Sequence, residues 1–378
     1  MRGSIIERGN SYRIKVSLGK DTVTGKYTAY YETVNGSKAD TQKRLRQLLT
    51  ELDKGIFVRP GKSSLAEYLN SWLADNVKPN LAPATHALYS SMCAKHVIPT
   101  LGNIPLVELK PAHLQHLYAE KQVSGLSNRT IQLIHVTLHK ALKNALKLGL
   151  LSRNVTEAVD TPKVQHREMH TMNETDLKLF LEMAKNTEYY PLFYLALFTG
   201  MRRAELLALT WGNVEFLLCQ LSVTRSMQFV DNKISFKQPK TVKSRRLIAL
   251  SPSTVHVLKE HLEAQNKQKQ ALNISPVMES DLVFCHWDGS PLLPSSVTHA
   301  WLKLVRRCGL KDIRLHDARH THASLLLKQG IHPKIVQERL GHAGITITLD
   351  LYSHVAPGLQ QAAANSFDDF VLQNTKVD

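Results

Sequence analysis

The sequence predicts a multidomain protein with three parts: a small α+β N-terminal domain of a three-stranded sheet plus one helix, an all-α domain, and a mixed, mainly-α domain with a small antiparallel sheet. Three observations carry this. The chain has 378 residues, long for one core and comfortable for two or three. Its hydrophobic period changes from alternation between Ser4 and Val34 to helical spacing from Leu65 to about Val159, and then to a mixture of the two. Between the last two regimes lies "DTPKVQHREMHTM" (Asp160 to Met172), which is charged, proline-bearing and aperiodic and marks a boundary.

Each element follows from local signals. "IIERGNSYRIKVSLG" and "KDTVTGKYTAYYETV" alternate polar and apolar residues around the turn signals Gly9-Asn10 and Thr24-Gly25. In "KADTQKRLRQLLTELDKG", Asp40 or Thr41 is the expected cap, Leu45, Leu48, Leu49 and Leu52 form the apolar stripe, and Gly55 ends the helix. "VRPGKSS" reads as a linker. The helical region includes "SNRTIQLIHVTLHKALKNALKLG", with its stripe at Ile131, Ile134, Leu138, Leu142, Ala145 and Leu148 and a stop at Gly149. Beyond the boundary, helices are expected at Asn173 to Lys185 and Pro191 to Leu209. Strands are expected around Leu217 to Thr224, Lys233 to Phe236 and Arg245 to Leu250, and helices again from Ser253.

Composition narrows the chemistry. Lys and Arg number 48 against 32 Asp and Glu, a formal net charge of +16. An excess of this size implies a polyanionic partner, most often nucleic acid, with a merely solvated basic face as the plain alternative. The N-terminus has no apolar core followed by a cleavage site, and no run of about 18 apolar residues occurs, so a cytosolic protein with no membrane role is expected. Cys93, Cys219, Cys285 and Cys308 form no Cys-x-x-Cys pair and are expected to be buried free thiols.

The stretch "RLHDARHTHASLLL", from Arg314, concentrates the chemistry. His316 and His320 share a helical face at i, i+4, as zinc ligands do, but the residue after His316 is Asp317 and not the glutamate of that pattern. Arg319 beside the same face would oppose a divalent ion. "LFTGMRRAELLALTWGNV" supplies Arg202, with Glu205 one turn on to orient its guanidinium. "KQPKTVKSRRLIAL" supplies Lys240, and "ERLGHAGITITLDLYSHV" supplies His342 and Tyr352. Arginine, lysine and histidine together make the donor set for a phosphate whose charge grows in a transition state. A tyrosine adds a nucleophile.

From about Met169 to Val371 the chain resembles the catalytic domain of the tyrosine recombinases, the phage integrase family. The family boxes occur in order as "TGMRRAE", "HDAR", "LGH" and "LYSH". The resemblance implies that Tyr352 attacks the scissile phosphorus, forming a 3′-phosphotyrosyl bond and releasing a 5′-hydroxyl. It implies that Arg202 and Arg319 hold the non-bridging oxygens, that Lys240 protonates the leaving oxygen, with Lys243 nearby, and that His316 and His342 hydrogen-bond the phosphate or move protons. Glu205 supports from behind, Arg203 is a surface or support residue, and His320 and His322 pack or hydrogen-bond within their helix. No cofactor and no metal is implied, because the phosphotyrosine linkage stores the energy of the broken bond.

The remaining parts resemble the other modules of three-domain integrases of phage or conjugative-transposon type. Residues 63–161 are similar to the core-binding helical (SAM-like) domain, with Lys95, Lys110, Arg129, Lys140 and Lys143 as candidate phosphate contacts. Residues 1–58 are similar to the arm-type DNA-binding domain, with Tyr12, Arg13, Lys15, Lys26, Tyr27 and Tyr30 as candidates for major-groove contact. The resemblance implies that residues 169–371 make the catalytic domain. The expected partners are double-stranded DNA with core-type and arm-type sites, a homotetramer on DNA and an accessory DNA-bending or directionality protein, in the cytoplasm of a bacterial host at the nucleoid. The terminal "APGLQQAAANSFDDFVLQ", with Leu359, Ala362, Ala363, Phe367 and Phe370 as anchors, packs either on its own domain or on a neighbouring subunit. Integration and excision of a mobile element is the function implied. The alternatives are an Xer-like resolvase with the same chemistry and a non-catalytic DNA-binding regulator.

Overall fold

The computed structural model describes residues 3–9, 11–20, 25–53, 63–164, 170–237, 245–342, 344–346, 348–349, 364–365, 367–369 and 371–372. Two compact units, Met1–His166 and Arg167–Asp378, divide the chain, and the first holds two separate hydrophobic cores.

The first of these cores lies under an antiparallel sheet, β1 (Gly3–Arg8), β2 (Ser11–Lys20) and β3 (Tyr27–Val34), in the order β1-β2-β3. Helix α1 (Lys38–Asp53) covers one face. Alternation decides which face that is: Ile14 and Val16 are fully buried with Leu48 of α1, and Leu45, Leu49 and Leu52 pack around them. The cap of α1 is Ser37, one turn before the expected position. Ser37 Oγ accepts from the Asp40 N–H at 3.2 Å and Asp40 Oδ2 accepts from the Ser37 N–H at 3.2 Å, a reciprocal box that makes Asp40 the third helical residue. Gly55 lies outside the described residues.

The second core is all-helical. α2 (Leu65–Ser71) runs through a π-helical turn, Trp72–Val77, into α3 (Lys78–Asn80), and α4 (Pro83–Met92) runs through another, Cys93–Val97, into α5 (Ile98–Leu101). Each widened stretch ends just before an X-Pro pair, Lys78-Pro79 and Ile98-Pro99. Proline has no N–H for the i→i−4 bond and its ring crowds that carbonyl, so the five-residue spacing relieves the conflict. α6 (Pro111–Val123) and α7 (Asn128–Lys147) complete the bundle. Ile131, Ile134, Leu138, Leu142 and Ala145 are fully buried as expected, whereas Leu148, past the last turn of α7, is 63% exposed.

In the second unit, α8 (Glu174–Ala184) is capped by Asn173, and α9 (Tyr190–Thr199) is apolar all round. The single helix expected from Pro191 to Leu209 is broken. Gly200 closes α9 in the left-handed region, φ +64°, and α10 (Arg203–Leu206) starts afresh. Strands β4 (Val214–Glu215), β5 (Gln220–Val223), β6 (Ser226–Val230), β7 (Lys233–Lys237) and β8 (Arg246–Ala249) form an antiparallel β4-β5-β8 sheet and a separate β6-β7 hairpin. The sequence reading missed β6. Asp231 and Asn232, both at positive φ, make the two-residue turn that pairs it with β7. α11 (Pro252–Ala271), α12 (Pro294–Arg307), α13 (Asp317–Lys328) and α14 (Pro333–Leu340) follow.

Trp301 of α12 is fully buried against Phe180 and Phe193, at ring separations of 4.4 and 5.2 Å, and anchors this core. All four cysteines are free, but only Cys93 is fully buried; the other three are half-buried. No helix among the described residues is long and apolar enough to cross a membrane.

Candidate active site

Three chain reversals bring the site together. Gly200 ends α9 and delivers Arg202 to the N-terminus of α10, where its N–H donates to Glu205 Oε2 at 3.0 Å. His316 stands at the N-cap position of α13, without a side-chain capping bond, and Arg319 lies in the first turn. Gly341, φ +68°, ends α14 and turns the chain so that His342 follows directly. Both glycines sit where a side chain would be strained and crowded. A Cβ at Gly200 would lie 2.9 Å from the His322 ring, and one at Gly341 would lie 3.1 Å from the Arg246 guanidinium.

The guanidinium groups converge on the carbonyls of these turns. Arg319, 3% exposed, donates Nη1–H to Gly200 O at 2.8 Å. Arg202 donates Nη2–H to Gly341 O at 3.2 Å and Nη1–H to Glu205 Oε1 at 2.8 Å, as the sequence suggested for Glu205. Arg319 Nη2 is buried and has no hydrogen-bond partner among the described residues, and the same holds for His320 Nδ1. Burial, with Arg202 next, pushes the Arg319 pKa down to about 9, which still leaves a cation at neutral pH. A desolvated cation with an unused donor is costly unless an anion completes it.

The imidazoles are kept neutral. His342 is buried, shares a 2.9 Å hydrogen bond with Thr348 Oγ1 through Nδ1, and is held down to about 4 by burial first and then by Arg319 and Arg202. His316 opens to solvent at the rim and its ring packs edge-on to His320 at 5.0 Å; desolvation of the ring and then His320 and Arg319 lower its pKa. His322 has a different task from the one expected. It bonds out of its own helix, donating Nδ1–H to Leu197 O at 2.9 Å while Nε2 accepts from Arg339 Nε–H at 3.0 Å. Arg339 also donates to Ala249 O and Phe198 O, so this pair ties α13 and α14 to α9 and β8. Among the described residues His320 makes no hydrogen bond through its buried nitrogen, and its ring meets that of His316.

Of the residues singled out in the sequence, Arg202, Glu205, His316, Arg319 and His342 gather here, and Arg203 bonds Pro294 O and Thr298 Oγ1 on the surface. Lys240, Lys243 and Tyr352 lie outside the described residues, as do Leu359, Ala362, Ala363 and Phe370 of the tail; Phe367 is exposed. Sequence reasoning missed Arg246, whose guanidinium holds Glu205 from the other side. Its signal is the strand alternation of "RLIAL": Arg246 falls on the same side as buried Ile248, so a charged group points inward and needs a partner.

In the first unit the open sheet face carries Arg13 and Lys15, with Arg13 4.5 Å and Lys15 5.9 Å from the centre of the Tyr31 ring. Tyr31 was not among the candidates. Tyr12 and Tyr30 point to the helix-covered face with Ile14, and Tyr30 bonds Glu32 at 3.0 Å, so these two do not belong with Arg13 and Lys15. Lys26 and Tyr27 are exposed at the start of β3. Lys95, Lys110, Arg129, Lys140 and Lys143 are all exposed, and the ammonium of Lys140 also donates to Tyr89 Oη at 2.7 Å.

A half-buried cradle of arginine and histidine donors, with one carboxylate that is already bonded, is suited to a phosphate or another oxyanion. A model of the phage integrase family matches residues 164–358, which include every box of the site. The chain belongs to the phage integrase family. The N-terminal SAM-like domain of phage integrases matches residues 64–122. A tyrosine recombinase XerC-like protein of Caldanaerobacter subterraneus subsp. tengcongensis is 27% identical over 382 residues, 96% of this chain and 96% of its own. The ICEBs1 integrase of Bacillus subtilis is 25% identical over 376 residues, 97% of this chain and 99% of its own. The fold of this chain is similar to that of the Tn1549 transposon integrase in complex with transposon right-end DNA, with a TM-score of 0.68 at 19% identity over 80% of this chain and 99% of that one.

Proposed function

We propose that this member of the phage integrase family is a site-specific DNA recombinase that integrates and excises a mobile element by cutting and rejoining DNA through a 3′-phosphotyrosyl intermediate. The observation that carries the reading is the Arg319 guanidinium, buried, bonded on one side to Gly200 O and unfilled on the other. Arg202 and Arg319 bind the non-bridging oxygens of the scissile phosphate and stabilise the charge that grows on them. Tyr352 attacks phosphorus, its C–O–P bond forms as the P–O5′ bond breaks, and Lys240 gives its proton to the departing 5′-oxygen. His342 and His316, neutral at pH 7, donate hydrogen bonds or take the tyrosine proton. Religation reverses these steps with a second 5′-hydroxyl.

Residues 1–58 are the arm-type DNA-binding domain, residues 63–161 the core-binding domain and residues 169–371 the catalytic domain. The two family-model matches support the latter two, and the basic open face of Arg13, Lys15 and Tyr31 supports the first. The partners are core-type and arm-type double-stranded DNA, further copies of the chain in a tetramer, and an accessory DNA-bending or directionality protein, in a bacterial cytoplasm at the nucleoid.

The test is covalent trapping. The protein is incubated in EDTA with DNA covering the junctions of the element that carries its gene, then denatured in SDS. A protein–DNA adduct with the wild type and none with Tyr352→Phe is expected. DNA binding without any adduct would mark a regulator that keeps the fold.

A further inference from the structure

Glu205 serves two arginines. Arg246 of β8 donates Nη2–H to Oε2 at 2.9 Å and Nη1–H to Oε1 at 3.3 Å, and both side chains of this pair are 6% exposed. Arg202 donates its backbone N–H to Oε2 and its Nη1–H to Oε1, and its side chain is 38% exposed. Four donors therefore fill the carboxylate, two from each arginine, and only Arg202 reaches the open side of the site. The far edge of Arg246 is fixed as well, with Nε–H donating to Arg339 O at 2.7 Å. Gly341, whose carbonyl receives Arg202, lacks the Cβ that would collide with the Arg246 side chain.

The charge count gives this arrangement a consequence. Two guanidiniums and one carboxylate leave the group at net +1. Without Arg246, the buried carboxylate would have Arg202 as its remaining guanidinium partner; that pair is neutral, and the carboxylate draws Arg202 inward, away from any phosphate. We infer that Arg246 is a positioning residue for strand cleavage, which occupies Glu205 so that Arg202 keeps its charge and its free donors for the scissile phosphate. This rests on the reading of Arg202 as a phosphate ligand.

The full-length protein tests it by adduct formation over time on saturating junction DNA, alongside DNA affinity and thermal unfolding. Arg246→Met should slow cleavage about ten- to a hundredfold, the range of a small displacement of a catalytic group, while affinity changes far less. Arg246→Lys keeps the charge but not the two-pronged grip and should fall between. Arg246→Met combined with Glu205→Gln should regain part of the lost rate, because a neutral amide no longer captures Arg202. A purely structural Arg246 would lower the melting temperature and leave the rate per folded molecule unchanged, with no recovery in the double variant. That outcome overturns the inference and leaves the recombinase reading standing. Loss of the adduct from the wild type itself overturns both. If Arg246→Met does not fold, the lysine and double variants decide.

Discussion

Arg319 joins deep burial to an unfinished hydrogen-bond set, so its replacement by lysine removes both the bond to Gly200 O and the fork proposed to meet a phosphate. Cleavage in Arg319→Lys is expected to fall by about a hundredfold or more, with DNA affinity reduced much less, measured by adduct kinetics at saturating DNA. His322 and His342 act on stability through their protons. Both are depressed in the folded chain, to about 3 and about 4, from an ordinary 6.5. The unfolded chain therefore binds the extra protons as pH falls. The stability these sites contribute is complete above about pH 6.5 and is lost on descending through the folded values. His322→Leu should be clearly less stable than wild type at pH 7, where Arg339 Nε and Leu197 O lose their partner, and the gap should narrow at pH 5. Denaturant unfolding at the two pH values checks this, and a gap independent of pH would rule out the titration argument.

Turns matter to the site as much as helices do. Gly200 and Gly309 both have positive φ, but a Cβ at Gly200 meets Leu340 and His322, whereas at Gly309 it meets nothing within 4 Å. Gly309→Ala is expected to cost about 1 kcal/mol for backbone strain alone. Gly200→Ala should cost about 2–4 kcal/mol, since overpacking is added, and it should also displace Arg202 and Arg319; paired unfolding curves give the difference. The same contrast explains how much could be read in advance. Helices α7 and α8 and the sheet of β1 to β3 follow from periodicity, and Arg202, Glu205, His316, Arg319 and His342 were readable because each sits in a short box with its own spacing. For Arg246 the alternation of β8 shows only that it points inward; its partner, Glu205 of α10, is distant in sequence and no local pattern encodes it. The break at Gly200 was hidden inside one apolar run, and the choice between Tyr30 and Tyr31 required knowing which sheet face α1 covers. The eighteen residues of "APGLQQAAANSFDDFVLQ" gave a helical pattern but nothing about which subunit it packs on.

At the scale of the whole chain, the excess of Lys and Arg over acids predicts binding to any duplex that weakens steeply with salt, roughly linearly in a plot of log affinity against log salt concentration. Removal of residues 1–58 should abolish preference for arm-type DNA while leaving cleavage of core-type DNA, since the helical bundle has a hydrophobic core of its own; competition binding with the two DNA classes separates these effects. The unfilled side of Arg319 reaches beyond catalysis. A folded protein that keeps a desolvated cation waiting holds back part of its own stability until an anion arrives, so on the proposed reading the DNA backbone would act as a missing piece of its interior. Sulfate or inorganic phosphate should then raise the melting temperature more than chloride at equal ionic strength, and that surplus should disappear in Arg319→Met. On these terms the recombination site is also a folding ligand, and an integrase away from DNA is the least stable form of itself.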